Sequence, residues 1–362
     1  MRTSIVAILA WIANTISAQE ENRKEKIQDI KCMNFYGLET ERKAFVCDWL
    51  HPPEWYITTL ISDMGINTLR IPFSYEYYIY NNLYHLDDIM FIAEKHGLRV
   101  ILDYHRTWAT HQGPTPEEGI SMTQFLDLWI SILDRFQHYN SLFGVGVFNE
   151  IQTSDLAYTV NMHRYIITAI EDRFPGRFHF FAGCPQWGGN CSGIDLSDMP
   201  TWDRTYIEVH KYQFSGSSTP EDWEVSIPRT IPADHWFIGE TGWKHDITIE
   251  REWATGFIEY LKSRNINNVC GWTIAHSHDT DGWWHDDCDT FNHNKADLFN
   301  NIWIEALPPL TRLLRGGHEV LPPTIKMVPA YMPSWSSEYQ PVHIHSPVSA
   351  TVSTTSDMYD VP

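Results

Sequence analysis

Residues 86–105 read LDDIMFIAEKHGLRVILDYH: an amphipathic stretch, a glycine, then an apolar run that stops at a histidine. The helical spacing of the apolar residues predicts a helix over Leu86–His96, and Gly97 stands where a helix ends in the left-handed conformation. Val100–Tyr104 then reads as a strand buried in a parallel sheet. The unit is a helix followed by a strand, with His105 left at the strand's end.

The same alternation runs outward in both directions, from Ile30 to Trp303. Further candidate strands are Lys31–Tyr36, Thr68–Ile71, Val145–Phe148, Phe178–Ala182, Tyr206–His210, Trp236–Gly239 and Val269–Thr273, with helical stretches over Thr123–His138, Ala157–Arg173 and Ile249–Arg264. Eight strands alternating with helices predict a single closed (β/α)8 TIM barrel over residues 28–304, a length that suits a fold of about 250 residues. In such a barrel the loops after the strands converge on one bowl, so strand ends are where chemistry is expected. Asn34, Tyr36, Arg70, His105, Asn149, Glu150, Gln186, Trp187, His210, Tyr212, Glu240 and Trp272 stand at those ends. Two carboxylates facing each other across a bowl are the minimum equipment for hydrolysing a glycosidic bond, and Glu150 and Glu240 are the candidate pair.

Composition narrows the partners. Twenty-six basic residues against 46 acidic ones give a formal charge of −20, a field that repels a phosphate backbone, so nucleic acid is excluded as an expected partner. Hydrophobic residues make up 43 % of the chain, with 16 Trp, 17 Tyr and 17 Phe, enough for a large core with aromatics left over to stack on sugars. No phosphate-cradling glycine loop or dinucleotide fingerprint occurs, so no cofactor is expected. His276, His278, Asp279, His285 and Asp286 lack a tetrahedral ligand spacing and read as an acidic loop, so no metal is expected either.

Taken in order, residues 34–40 (NFYGLET), 65–74 (GINTLRIPFS), 101–106 (ILDYHR), 148–150 (FNE), 187–190 (WGGN), 209–212 (VHKY), 238–240 (IGE) and 279–282 (DTDG) with Asp286 and Asp287 resemble glycoside hydrolase family 5, and within it the secreted endo-β-1,4-glucanases. The resemblance implies Glu150 as general acid/base and Glu240 as nucleophile. It implies that Arg70 pairs with Glu240 and keeps it ionised, that His105 lines the subsite near the nucleophile and that Asn149 binds the sugar 2-hydroxyl. His210 is implied beside Glu150, Tyr212 beside Glu240, Trp272 under the sugar at the cleavage subsite, and Trp187 in the cleft. The expected partner is a β-linked glucan polysaccharide, cut by a monomer. Other specificities of the family, β-mannanase or β-1,3-glucanase, share the same residues, and a barrel that binds carbohydrate without cutting it is the alternative of a different class.

Residues 1–18 have the layout of a secretory signal peptide, a short apolar run behind Arg2 that ends in Ile16-Ser17-Ala18. Secretion, and no membrane attachment once the signal is cleaved, is expected, with residues 19–27 as a lead-in. Six cysteines fit an oxidising compartment, and their closeness in sequence suggests the pairs Cys32–Cys47, Cys184–Cys191 and Cys270–Cys288. From residue 305 the chain turns to Pro, Gly, Ser and Thr and reads as a mostly disordered tail.

Overall fold

Eight parallel strands follow one another around a closed ring: β1 (Lys31–Asn34), β2 (Thr68–Ser74), β3 (Arg99–Arg106), β4 (Leu142–Gly146), β5 (His179–Gly183), β6 (Thr205–Tyr212), β7 (Trp236–Gly242) and β8 (Val269–Gly271). The ring closes where β8 pairs with β1. The computed structural model describes residues 29–303 apart from 82, 216–218 and 276–279. The signal segment, the lead-in, the tail and His276, His278 and Asp279 of the acidic loop lie outside the described residues.

Helices α1 (Pro53–Met64), α2 (Tyr75–Tyr80), α3 (Tyr84–His96), α4 (Met122–Phe136), α5 (Leu156–Arg173), α6 (Pro220–Ser226), α7 (Thr248–Arg264) and α8 (His293–Asn300) occupy the connections. The architecture is the expected (β/α)8 TIM barrel. The connection after β5 differs, carrying no α-helix but a long loop and one 3-10 turn, Trp202–Arg204. Local chemistry sets the helix ends. Ser121 and Gln124 form a capping box ahead of α4, and Gly97 closes α3 at φ 67°. α4 shows what holds the outer layer in place: Phe125, Leu128, Trp129, Ile132, Leu133 and Phe136 are all buried, each contributing about 1.5–3 kcal/mol relative to exposure.

Strand pleating sends alternate side chains to two cores. Met33, Leu69, Ile71, Leu102, Tyr104 and Ile207 join the large core that also takes the helices. Cys32, Ile101, Phe181, Tyr206, Phe237 and Cys270 belong to a separate small cluster that plugs the barrel. The next inward positions along the strands, Asn34, Arg70, Asp103 and Glu208, are polar and buried. The barrel therefore changes from an apolar plug to a polar floor within one pleat.

Two of the expected cysteine pairs differ. Cys32 bonds Cys270 and Cys47 bonds Cys288, in place of Cys32–Cys47 and Cys270–Cys288, while Cys184 bonds Cys191. The reason is closure. β1 and β8 are neighbours, with Cys32 opposite Cys270 in their ladder, so cysteines far apart in sequence meet directly. The strand bounds also shift: β2 and β7 each run three residues further, to Ser74 and Gly242, and β4 covers Leu142–Gly146 in place of Val145–Phe148, which leaves Asn149 and Glu150 on the loop beyond it.

Candidate active site

Glu240 sits near the end of β7, buried, with both carboxylate oxygens engaged. Arg70 Nη1 donates to Oε1 at 3.0 Å and the Tyr212 hydroxyl donates to Oε2 at 2.8 Å. The β6–β7 ladder slips between Val209 and His210, which sets His210 opposite Glu240 and turns both toward the bowl. Burial raises the Glu240 carboxyl above its usual range, with His210 and Arg70 pulling the other way. The expected Arg70–Glu240 contact is present, but it does not outweigh burial.

Arg70, on β2, is fully buried and is the hub of the floor. Besides Glu240 it donates to Asn34 Oδ1 and Asn149 Oδ1, each at 2.9 Å, and pairs with Glu208 at 2.8 Å and Asp103 at 3.1 Å. Burial works against its charge, but Asp103, Glu208 and Glu240 together raise the guanidinium above its ordinary value. A permanently charged planar fork suits this position, because it can serve several oxygens at once.

Glu150 lies four residues past the end of β4 at Gly146 and adopts φ 47°, an uncommon conformation for a residue with a side chain. Its Oε1 is 3.0 Å from His210 Nδ1, and the same nitrogen is 3.6 Å from Glu240 Oε2. One oxygen of Glu150 and one of Glu240 lie within 4.8 Å of each other. His210 thus stands between the two carboxylates. Burial pulls its imidazole down, but Glu240, Glu150 and Glu208 outweigh it and hold the ring at about 10.

His105 is in the opposite state. Burial, then Arg106 and Arg70, keep it well below its ordinary value, so the ring is neutral. Its Nδ1 faces Asp103 Oδ2 at 2.8 Å, which places the proton there and leaves Nε2 to accept from Asn149 Nδ2 at 3.4 Å. The ring stacks on Trp272 with centroids 5.5 Å apart and planes within 10°. Trp272 and His105 therefore form one wall of the cleft.

The opposite wall comes from the loop after β5. Trp187 is 56 % exposed, and its backbone N–H donates to Ile151 O at 3.0 Å, tying it to the Glu150 loop. Gln186, Trp187 and Gly188 are all left-handed, and the Cys184–Cys191 bridge closes the turn that carries them. Phe214, also exposed, stacks on Tyr212 at 4.9 Å. A cleft of about 510 Å³ runs between these walls and is lined by His105, Glu150, Trp187, His210, Glu240 and Trp272 among others. All nine residues expected in the site converge on this bowl or its floor.

Several participants were not singled out in the sequence: Asp103 and Glu208 in the floor, Phe214 on the rim, and Glu39, buried after β1 and held by the Gly37 N–H at 2.8 Å. Asp103 and Glu208 each stand two residues before a named histidine, the shortest spacing that puts two strand residues on the same face. That signal was available.

Glu150, His210 and Glu240 are close enough together to suggest cation ligands. Their atoms are already paired with one another, with Tyr212 and with the Arg70 cation, an environment unfavourable to a metal ion.

A cellulase (glycosyl hydrolase family 5) family model matches residues 23–280. An endoglucanase of Paenibacillus polymyxa is 22 % identical over 333 residues, covering 75 % of this chain and 81 % of the relative. Among solved structures, a hyperthermophilic endocellulase from the archaeon Pyrococcus horikoshii superposes with a TM-score of 0.67 at 20 % identity, covering 76 % of this chain and 92 % of that one. The catalytic domain of the major endoglucanase from Xanthomonas campestris pv. campestris gives 0.64 at 19 % identity, covering 76 % and 95 %. The ring of polar strand ends and the family match over most of the barrel agree: the chain is a glycoside hydrolase and belongs to glycosyl hydrolase family 5.

Proposed function

We propose that this glycoside hydrolase is a secreted, retaining endo-β-1,4-glucanase. The observation that carries the mechanism is the short span between Glu150 and Glu240 across the cleft, within 4.8 Å at their nearer oxygens. Retaining enzymes hold their carboxyl groups about 5–5.5 Å apart, whereas inverting ones leave room for a water. In the first step a Glu240 oxygen bonds to the anomeric carbon as the glycosidic C–O bond breaks, and Glu150 gives its proton to the departing oxygen. In the second, Glu150 takes a proton from water, the hydroxide oxygen bonds to the anomeric carbon, and Glu240 leaves as a carboxylate.

The partner is a polysaccharide, approached by a single copy of the chain. Endo action is supported by the length of the groove: a second cavity of about 530 Å³, reaching Gln152, Asn190 and Lys211, shares Gln186, Trp187, Gly189 and Ser215 with the catalytic cleft. Trp272 and His105 would hold the sugar being attacked, with Asn149 on its 2-hydroxyl, and Trp187 the sugar beyond the cut bond. Export is supported by the N-terminal segment and by three disulfides. Among the described residues no helix is long and apolar enough to cross a membrane. The domain plan is a signal segment over 1–18, a lead-in over 19–27, the barrel over 28–304 and a tail from 305.

A reducing-sugar assay on carboxymethylcellulose, mannan and β-1,3-glucan, with the product anomer followed by NMR, tests the reading. Rapid chain shortening of carboxymethylcellulose with β product is the expected result. Preference for mannan would move the substrate, α product would overturn retention, and binding without cleavage would leave a carbohydrate-binding barrel. Mass spectrometry of the exported protein should find a new N-terminus near Gln19.

A further inference from the structure

Glu208 lies one pleat below His210 on β6, buried, and neither glutamate of the proposed mechanism accounts for it. Its Oε1 is 2.8 Å from Arg70 Nη2 and 3.4 Å from His210 Nε2. His210 therefore meets a carboxylate at each ring nitrogen, Glu150 at Nδ1 and Glu208 at Nε2. A neutral imidazole can donate from only one nitrogen. With Glu208 at Nε2 and, while Glu150 carries its proton, the Glu240 carboxylate 3.6 Å from Nδ1, only the doubly protonated ring points an N–H at both anions.

The neighbouring strand is cut to fit this carboxylate. A Cβ added to Gly239, the residue just before Glu240, would come within 1.9 Å of Glu208 Oε1. Glu208 fills the space that a side chain on β7 would take, so its position is fixed by packing as well as by charge.

We propose that Glu208 is a positioning residue that keeps His210 doubly protonated, so that the Nδ1–H can serve whichever of Glu150 and Glu240 bears the negative charge. This rests on the two-step mechanism above. There the charge starts on Glu240, passes to Glu150 when the glycosyl bond to Glu240 forms, and returns on hydrolysis. The Nδ1 atom, 3.0 Å from one carboxylate and 3.6 Å from the other, is within reach of both at each stage. The imidazolium is a fixed cation for a migrating anion.

The other charges around the pair are Arg70 on β2, Asp103 and His105 on β3, His163 on α5, and Glu240 with the Tyr212 hydroxyl beside it. His105 and His163 are held below their ordinary values, largely by burial, and stay neutral. Burial raises Glu208, but Arg70 and His210 overcome it and keep the group ionised. Glu208 is thus, among the described residues, the carboxylate that meets His210 at Nε2 and takes no part in bond making.

The test is ¹⁵N NMR of the histidine rings in the intact protein, with the His210 signals assigned by their loss in His210→Gln. Both ring nitrogens of His210 should be protonated at pH 8 in the wild type, and only one in Glu208→Gln. In parallel, the alkaline limb of the kcat/KM profile of Glu208→Gln should move down by about one pH unit or more, giving about a tenfold loss at pH 8 with KM within about twofold. A singly protonated His210 in the wild type overturns the proposal, and that arm needs no variant to fold. A Glu208→Gln protein that melts earlier but keeps the wild-type alkaline limb also overturns it, because a merely structural carboxylate would behave that way. The NMR arm reads His210 whether or not any polysaccharide is cut, so it fails separately from the substrate assignment.

Discussion

The Tyr212 hydroxyl donates to Glu240 Oε2 at 2.8 Å, on the oxygen that Arg70 leaves free. The two donors between them fix the carboxylate's plane. Tyr212→Phe removes one without changing shape. Because this hydrogen bond lowers the Glu240 carboxyl, its loss should move the acid limb of kcat/KM to higher pH. A hydrogen bond to a charged group contributes about 1.5–3 kcal/mol, so kcat/KM should fall roughly 10- to 100-fold at the optimum while the melting temperature changes little. Stopped-time assays across pH check both outcomes.

The two glutamates should fail in different ways. Glu240→Gln should abolish the covalent intermediate and nearly all turnover. Glu150→Ala should lose about 10²–10⁴-fold on polysaccharide but far less on aryl glycosides whose leaving groups need no proton. Added azide should rescue Glu150→Ala and give a glycosyl azide of retained configuration. A Glu240→Gln protein with near-normal turnover would show that the pair has been misassigned.

Trp187 depends on its turn. Replacing Cys184 and Cys191 together by Ser opens a bridge across seven residues, a short loop whose closure contributes about 2 kcal/mol. The barrel should stay folded, with a small drop in melting temperature. KM for long substrates should rise several-fold as the three left-handed residues 186–188 lose their constraint. Unchanged KM would place Trp187 outside the substrate path.

Glu39 gives a pH signature. Burial, only partly offset by the Gly37 N–H and Arg106, raises its carboxyl to about 7 from an ordinary value of 4.5. A group raised on folding contributes stability below its unfolded value and loses it as pH climbs through the folded one. Glu39→Gln keeps the acceptor for Gly37 and removes the titration. The variant should therefore match the wild type near pH 4 and gain on it as pH rises through 7, by up to about 3 kcal/mol, read from thermal melts in a pH series.

The barrel was legible in the sequence because eight short, mostly apolar runs are spaced along the chain and mostly separated by amphipathic stretches. The nine candidate residues could be grouped for the same reason, since positions at or near strand ends face the bowl. Glu208 and Asp103 were harder to see. They sit within the strands, where the reading expected apolar residues, and only the pleat connects them to His210 and His105. The cysteine pairs at the seam were misread because closeness along the chain says nothing about a ring whose first and last members touch. Cys184 and Cys191 escaped that error, for they flank one loop.

The bridge between Cys32 and Cys270 spans 238 residues and joins the first strand to the last. A growing or truncated chain that lacks residue 270 has no partner to offer Cys32 from β8, however well its earlier strands have folded. The same holds for Cys47 and Cys288. Thiol accessibility at Cys32 and Cys47 is thus a chemical record of whether the whole ring was made. An alkylating reagent added to a nascent or clipped preparation should separate finished barrels from unfinished ones without any assay of activity.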